Sequence, residues 1–502
     1  MRLMPGAAVA FRKYTILCHR WMGVGLCVLF AVWFISGIVL MYCDYPVVSA
    51  RDRLQRAAPI DAGRIHLTPE QAYQRIEPAD VPAAVTLAMY DGRPAYRFLF
   101  GSDSLLVYAD NGRLQEEFPA DLTLRTASAW TGRPSAEAKF EGVFTAEDQW
   151  TVSGEFRSLR PLMKYSWPDG EEVYVSQVTG EVVQYTTQRS RLGAWLGAIP
   201  HWLYFTPLRK QGSLWSRIVI WASGIGTAAS IFGIIVGLTL YSPSRKRYRF
   251  PRGRSSVPYA GQKRWHTVLG LLFGLVTCTW VFSGMLSMDP FGWDSGAKEE
   301  RMERALRGGA LHLAGFDAKS PQQALAEASS KLRVKELELD TFAAAPVYLA
   351  WESPGRSLII PMEGDPRPQF DSGQIAGLLV DPERPRALAQ VRVVERYEAY
   401  YVDRHGRLPL PVLFVRLNDR EGSGYYVDLK TARIVRSYVA QSRWNRWLYH
   451  GLHSFDLPWL YRNRPAWDIV VLVLMLGGSA LAVTSLVIGW RRLRTKLRAA
   501  LS

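Results

Sequence analysis

The sequence predicts an integral membrane α-helical protein: four transmembrane helices built as a duplicated two-helix repeat, with two α+β domains outside the bilayer. Three observations predict it. Four segments, roughly 21–43, 214–240, 267–288 and 467–490, are apolar over the span of about 20 residues that a helix needs to cross a bilayer. The positive charge sits in three short stretches between and beyond those segments. The two halves of the chain also align with each other at a nearly constant offset.

The elements follow in chain order. Residues 1–43 comprise a basic start (Arg2, Arg12, Lys13, Arg20) and the first span, which carries no charge between 21 and 42. Its apolar run exceeds the h-region of a signal peptide, so it reads as a retained membrane helix. Residues 44–213 form the first external domain and 214–241 the second span. The link 242–266 holds eight basic residues and no acid: Arg245, Lys246, Arg247, Arg249, Arg252, Arg254, Lys263 and Arg264. Residues 267–288 are the third span, again uncharged, and 289–466 the second external domain. The fourth span, 467–490, runs into a basic tail, 491–502, with Arg491, Arg492, Arg494, Lys496 and Arg498.

These three stretches hold seventeen positive charges, against a net charge of +16 for the whole chain. The remainder is therefore close to neutral. Such a distribution is the positive-inside pattern, which predicts both termini and the central link on the cytoplasmic side and two large domains outside. It also argues against a nucleic-acid partner, because the charge belongs to the membrane edges. All four cysteines, Cys18, Cys27, Cys43 and Cys278, lie in or beside the spans and form no C-x-x-C arrangement, so zinc clusters and covalently attached haem lack support. No P-loop, G-x-G-x-x-G after a strand, or H-E-x-x-H occurs.

An offset of 252 aligns Thr68-Pro69 with Ser320-Pro321, Tyr174-Val175 with Tyr426-Val427, Trp195-Leu196 with Trp447-Leu448, and His201 with His453. It also aligns Trp215 with Trp467, Gly226 with Gly478, and Gly237 with Gly489. The first helices align at 247: His19 with His266 and Ser36-Gly37 with Ser283-Gly284. Parallel repeats are related by an axis along the membrane normal, which would place equivalent residues at one depth. In each external domain a Ser/Thr-Pro start reads as a capped first helical turn. Alternating stretches such as Ala95–Phe100, Leu358–Ile360, Glu172–Val175 and Gly424–Val427 read as strands.

The pieces His19-Arg-Trp-Met-Gly23, Pro69-Glu-Gln-Ala72, Val173-Tyr-Val175 with Thr179-Gly180, and Tyr449-His-Gly-Leu-His453 resemble PepSY-domain proteins with PepSY-associated transmembrane helices. The resemblance covers nearly the whole chain. It implies PepSY-like periplasmic domains and a bacterial inner membrane, since the family includes inner-membrane reductases that take iron from ferric siderophores and hold haem b between their helices. The implied function is an oxidoreductase moving electrons from a cytoplasmic or quinol donor to a ferric siderophore or other periplasmic oxidant. Soluble PepSY domains are associated with peptidase propeptides. The alternative is therefore a non-enzymatic protein that binds a ligand or restrains a peptidase.

Five of the eight histidines gather at the membrane edges, where ionisable groups are costly and usually functional. His19 and His266 are expected to be axial ligands of one haem b. His201 and His453, in aromatic stretches able to lie in the lipid interface, are expected to ligate a second. His450, one turn before His453, competes with it for that role, leaving His453 to a propionate or substrate, but the repeat favours His453. Zinc fits either pair poorly for want of further ligands, while copper or a proton relay stays open. Ser36-Gly37 and Ser283-Gly284 are expected to permit close helix approach, with room for a porphyrin edge as the alternative. Trp21, Trp215, Trp221, Trp265, Trp467 and Trp490 read as aromatic-belt residues. His66, His312 and His405 read as ordinary external residues, and Arg157, Arg160, Asp403 and His405 as polar candidates for an external substrate site that are more naturally structural.

Overall fold

Four long apolar helices organise one part of the chain: α1 (Pro5–Leu40), α2 (Gly212–Leu240), α3 (Gly261–Leu286) and α4 (Arg464–Leu501). The computed structural model describes residues 5–77, 80–101, 103–244, 247–251, 253–292, 296–380 and 388–501. Arg2, Arg245, Lys246 and Arg252 of the basic stretches therefore lie outside the described residues. All four helices are long and apolar enough to cross a membrane, with mean hydropathy of 1.9 to 2.5 over their most apolar windows. The first starts well before the apolar run and stops at Leu40 rather than at residue 43, so His19 sits inside a continuous helix.

Contacts divide the chain into two units. The helical unit comprises residues 1–45, 189–293 and 443–502. In it the helices form a ring, α1 against α2 and α4, and α3 against α2 and α4. Glycines permit the close approach. A Cβ at Gly478 of α4 would collide with the Phe34 ring of α1, and one at Gly477 with Phe273 of α3. The stretches before α2 and α4 are short helical turns rather than long amphipathic helices: Ala198–Trp202 on one side, and a π-turn at Arg446–Gly451 running into Leu452–Ser454 on the other. One tryptophan departs from the aromatic-belt expectation, and a second, half-buried, shares its hydrogen-bond pattern. Trp467 is fully buried and donates its indole N–H to the Ser454 carbonyl. Trp215 donates likewise to the Trp202 carbonyl, so each pins the turn before its helix.

The other unit comprises residues 46–188 and 294–442. Strands β1 (Ala84–Tyr90), β2 (Arg93–Phe100), β3 (Asp103–Tyr108) and β4 (Leu114–Gln115) come from the first external segment. β5 (Lys139–Phe144), β6 (Leu162–Ser166), β7 (Glu172–Ser176) and β8 (Val182–Thr186) follow. The second segment contributes β9 (Glu336–Phe342), β10 (Ala345–Ser353), β11 (Arg356–Pro361), β12 (Leu388–Val394), β13 (Val412–Leu417), β14 (Gly424–Asp428) and β15 (Ile434–Tyr438). β5 to β8 and β12 to β15 form two four-stranded antiparallel sheets in sequential order. The remaining strands join across the two segments in a single seven-stranded sheet, β11-β10-β9-β1-β2-β3-β4, through the antiparallel pairing of Val85 with Leu339 and Leu87 with Leu337. The segments expected to fold as separate domains thus share a sheet and a core.

That core is one face of the joint sheet. Val85, Leu87, Tyr96, Phe98, Leu337, Leu339, Tyr348 and Ile360 pack under Ala72, Phe316 and Ala324. The two helical turns carrying Ala72 and Ala324 start as the sequence predicts: Thr68 and Ser320 each close a capping box, with Pro at the first turn. The other face packs Val347, Leu349 and Ile359 against Leu413, Val415 and Val427 and also carries charges. Arg433 pairs with Glu338 and Asp340 of β9, and Arg97 with Glu181. Burial beside Glu338 and Glu181 pushes the Glu336 carboxyl up to about 7.

Candidate functional site

Four of the five edge histidines meet in two pairs inside the helical unit. The rings of His19 (α1) and His266 (α3) have centroids 6.0 Å apart, and those of His201 and His453 are 6.1 Å apart. Two imidazoles on opposite sides of one metal ion should show a closely similar value. A metal–nitrogen bond of about 2.0 Å, plus roughly 1.2 Å from nitrogen to ring centre, on each side places the centroids roughly 6.4 Å apart.

Hydrogen bonds set the tautomer of each ring. His19 Nδ1 lies 2.9 Å from the Ala229 carbonyl, which can only accept, so Nδ1 carries the proton. The other three rings meet hydroxyls whose single proton is already given to the backbone. Ser36 Oγ donates to the Val32 carbonyl at 2.6 Å and accepts from His201 Nδ1 at 3.2 Å. Ser283 Oγ donates to the Trp280 carbonyl at 3.0 Å and accepts from His453 Nδ1 at 3.0 Å. Thr484 Oγ1 donates to the Leu481 carbonyl at 2.7 Å and accepts from His266 Nδ1 at 3.2 Å. Carbonyls back two of these bonds, Trp33 at 3.1 Å from His201 Nδ1 and Trp280 at 3.3 Å from His453 Nδ1. With Nδ1 engaged in all four, ligation would go through Nε2, and an oriented second nitrogen is what metal-bound histidines require. Burial also pushes the His201 imidazole down to about 4, against the pull of the Trp33 carbonyl, which keeps it in the neutral ligating form.

The serines, expected to permit helix packing or leave room for a porphyrin edge, are the groups that orient the second pair, and their neighbouring glycines supply space. A Cβ at Gly37 would crowd the His201 ring at 3.2 Å, and one at Gly233 would press on His19 at 2.6 Å. His450 takes no part in the pair: it is exposed, with its ring 4.6 Å from that of Tyr449, whereas the His453 ring is the one beside His201.

A cavity of about 300 Å³ holds the first pair. It follows α1 from Ile16 to Phe34, and Gly23, Gly233, Gly270, Gly274 and Gly478 keep its walls thin. Arg20, Lys263 and Arg492 line it as well, and Arg492 Nε is buried with no hydrogen-bond partner among the described residues. An apolar slot with two ring nitrogens across it and three cationic side chains on its wall suits a flat, largely apolar, iron-holding group with carboxylate edges. That is the chemistry of haem b, and the residues fit it. Among the described residues no cluster of three or more His, Cys, Asp or Glu could hold a bare ion, which leaves zinc without a ligand set.

The remaining polar candidates belong to the sheet unit and read as structural. Asp403 accepts the backbone N–H groups of His405, Arg407 and Leu408. Burial works against its charge, but those donors prevail and hold its carboxyl below the usual range. Arg160 donates to the Thr151 carbonyl at 2.7 Å. The Arg157 backbone N–H closes a turn on Gly154, and the Arg157 side chain is exposed. His66 binds the Asp110 carbonyl, and His312 and His405 are exposed.

Fold and site together define a multi-pass membrane protein whose spans frame paired, oriented histidines and whose chain also folds a separate β-rich unit. Its sequence matches the PepSY-associated TM region from residue 16 to residue 492, nearly the whole chain. The chain belongs to that family. No curated protein matches it in sequence.

Proposed function

We propose that this protein is a membrane oxidoreductase that holds two haem b groups, one on each histidine pair, and passes electrons across the membrane to a ferric complex such as a ferric siderophore. The two pairs of Nδ1-anchored imidazoles, each at the separation of a two-histidine iron site, carry the reading. When bound, haem supplies one-electron chemistry at an iron that needs no open coordination position. His19 and His266 would ligate the first group, and His201 and His453 the second. Ala229, Ser36, Ser283 and Thr484 hold the rings in the Nε2-ligating tautomer. Arg20, Lys263 and Arg492 neutralise carboxylate edges, and the apolar helix faces exclude water.

In the same reading the chain is a duplicated two-helix repeat in a bacterial inner membrane. Its termini and basic link face the cytoplasm and its β-rich unit lies in the periplasm, as the charge distribution favours. Electrons enter from a cytoplasmic or quinol donor. Reduction releases the metal, because Fe(II) binds hard oxygen ligands more weakly than Fe(III).

An absorbance spectrum of the purified full-length protein, with and without dithionite, tests this. A Soret band and a sharp α band should appear, and each should lose about half its amplitude in His19→Ala/His266→Ala and in His201→Ala/His453→Ala. No Soret band after expression with ample haem, or full haem occupancy without all four histidines, refutes it.

A further inference from the structure

We propose that Phe34 and Trp280 form an aromatic bridge through which the two histidine pairs exchange electrons; the proposal rests on the haem reading above. The pairs are far apart. Fifteen residues of α1 separate His19 from Phe34, about 22 Å along the helix axis, so what fills the space between them governs their coupling. Phe34 lines the cavity that holds His19 and His266, at the end remote from them. Its ring lies 5.8 Å from that of Trp280, at 53°. The Trp280 carbonyl in turn accepts from His453 Nδ1 at 3.3 Å. One ring contact and one hydrogen bond thus connect the wall of the first site to the ring of the second.

The contact is built rather than incidental. Both side chains are almost fully buried, Phe34 at 5% exposure and Trp280 at 6%. Gly478 is the residue that lets the Phe34 ring seat against α4, since any Cβ there would overlap it. Trp280 packs on its other side against Phe455, two residues beyond His453, with ring centroids 5.7 Å apart. Electron tunnelling decays faster across a void than through bonded or touching atoms, and a void beside a ring removes its contacts outright. A second aromatic pair, Phe30 and Trp33, also leads from the cavity toward His201. It runs along α1 alone, and Trp33 is only partly buried.

The step moves one electron. Iron held by His19 and His266 goes from Fe(II) to Fe(III), and iron held by His201 and His453 goes from Fe(III) to Fe(II). Phe34 and Trp280 undergo no net change, and no proton moves.

The test uses full-length protein in sealed vesicles with membrane-impermeant dithionite outside. The α band should rise in two phases, the slower reporting transfer between the sites. Trp280→Leu should slow that second phase several-fold while haem content and both midpoint potentials stay at wild-type values, and Phe34→Ala, read per haem bound, should slow it likewise. Phe34→Tyr, which keeps the ring, should restore it. Should Phe34→Ala lose haem, Phe34→Leu, which fills the space without a ring, should slow the same phase. An unchanged slow phase in haem-replete variants, or one that responds only to Phe30→Leu, overturns the bridge. Absence of any haem band in the wild-type protein overturns the haem reading instead.

Discussion

Replacing Ser283 by alanine tests the orientation of the second pair at its most sensitive point. Ser283 is fully buried, and its hydroxyl is the nearest partner of His453 Nδ1 at 3.0 Å, with the Trp280 carbonyl at 3.3 Å as the fallback. A net hydrogen bond contributes about 1 kcal/mol, and losing an orienting partner costs roughly 10–100-fold in metal affinity. The surviving carbonyl bond sets the expectation at the low end, about tenfold weaker haem retention, or about 1.4 kcal/mol. At the companion ring the order reverses, since the Trp33 carbonyl is at 3.1 Å and Ser36 Oγ at 3.2 Å. Ser36→Ala should therefore cost less than Ser283→Ala. The assay is competition for haem with an apo-globin acceptor, followed by absorbance. Wild-type retention in Ser283→Ala, together with loss in His453→Ala, would show that the ring needs no orienting hydroxyl. A larger loss in Ser36→Ala would contradict the distance argument.

Three further outcomes follow from the same structure. Gly233→Val should abolish haem at the first pair and leave the second intact, because its side chain would occupy the place of the His19 ring; a halved Soret amplitude checks this. Glu336 has a folded-state pKa of about 7 against a reference of 4.5, so the folded protein binds more protons than the unfolded one between those values. Stability of the sheet unit should fall as pH rises through that window, by on the order of 3 kcal/mol. Glu336→Gln should flatten the dependence in thermal melts, and an unaltered pH profile would rule the group out. Thr68→Ala and Ser320→Ala should each cost about 1 kcal/mol by removing one capping box, read as a lower melting temperature with haem content unchanged.

Much of this protein is determined by sequence alone, wherever the cause is local. Apolar runs of sufficient length specify the four helices whatever surrounds them, and Thr68-Pro69 and Ser320-Pro321 carry their capping boxes within four residues. The edge histidines could be singled out because ionisable residues at a membrane boundary are costly. The repeat also foretold which histidines pair, and only the tertiary structure decided which groups orient them. Ser36 and His201 are 165 residues apart and Ser283 and His453 are 170 apart, so no local period distinguishes an orienting serine from a packing one. The repeat already favours His453 over His450, since it aligns His453 with His201, and the structure agrees: the His453 ring lies beside that of His201 and His450 is exposed. The joint sheet has the same origin. β1 and β9 each have the alternation of an ordinary strand, and each would leave an unpaired edge alone; that they pair with each other is a property of the folded chain, in which each satisfies the other's backbone.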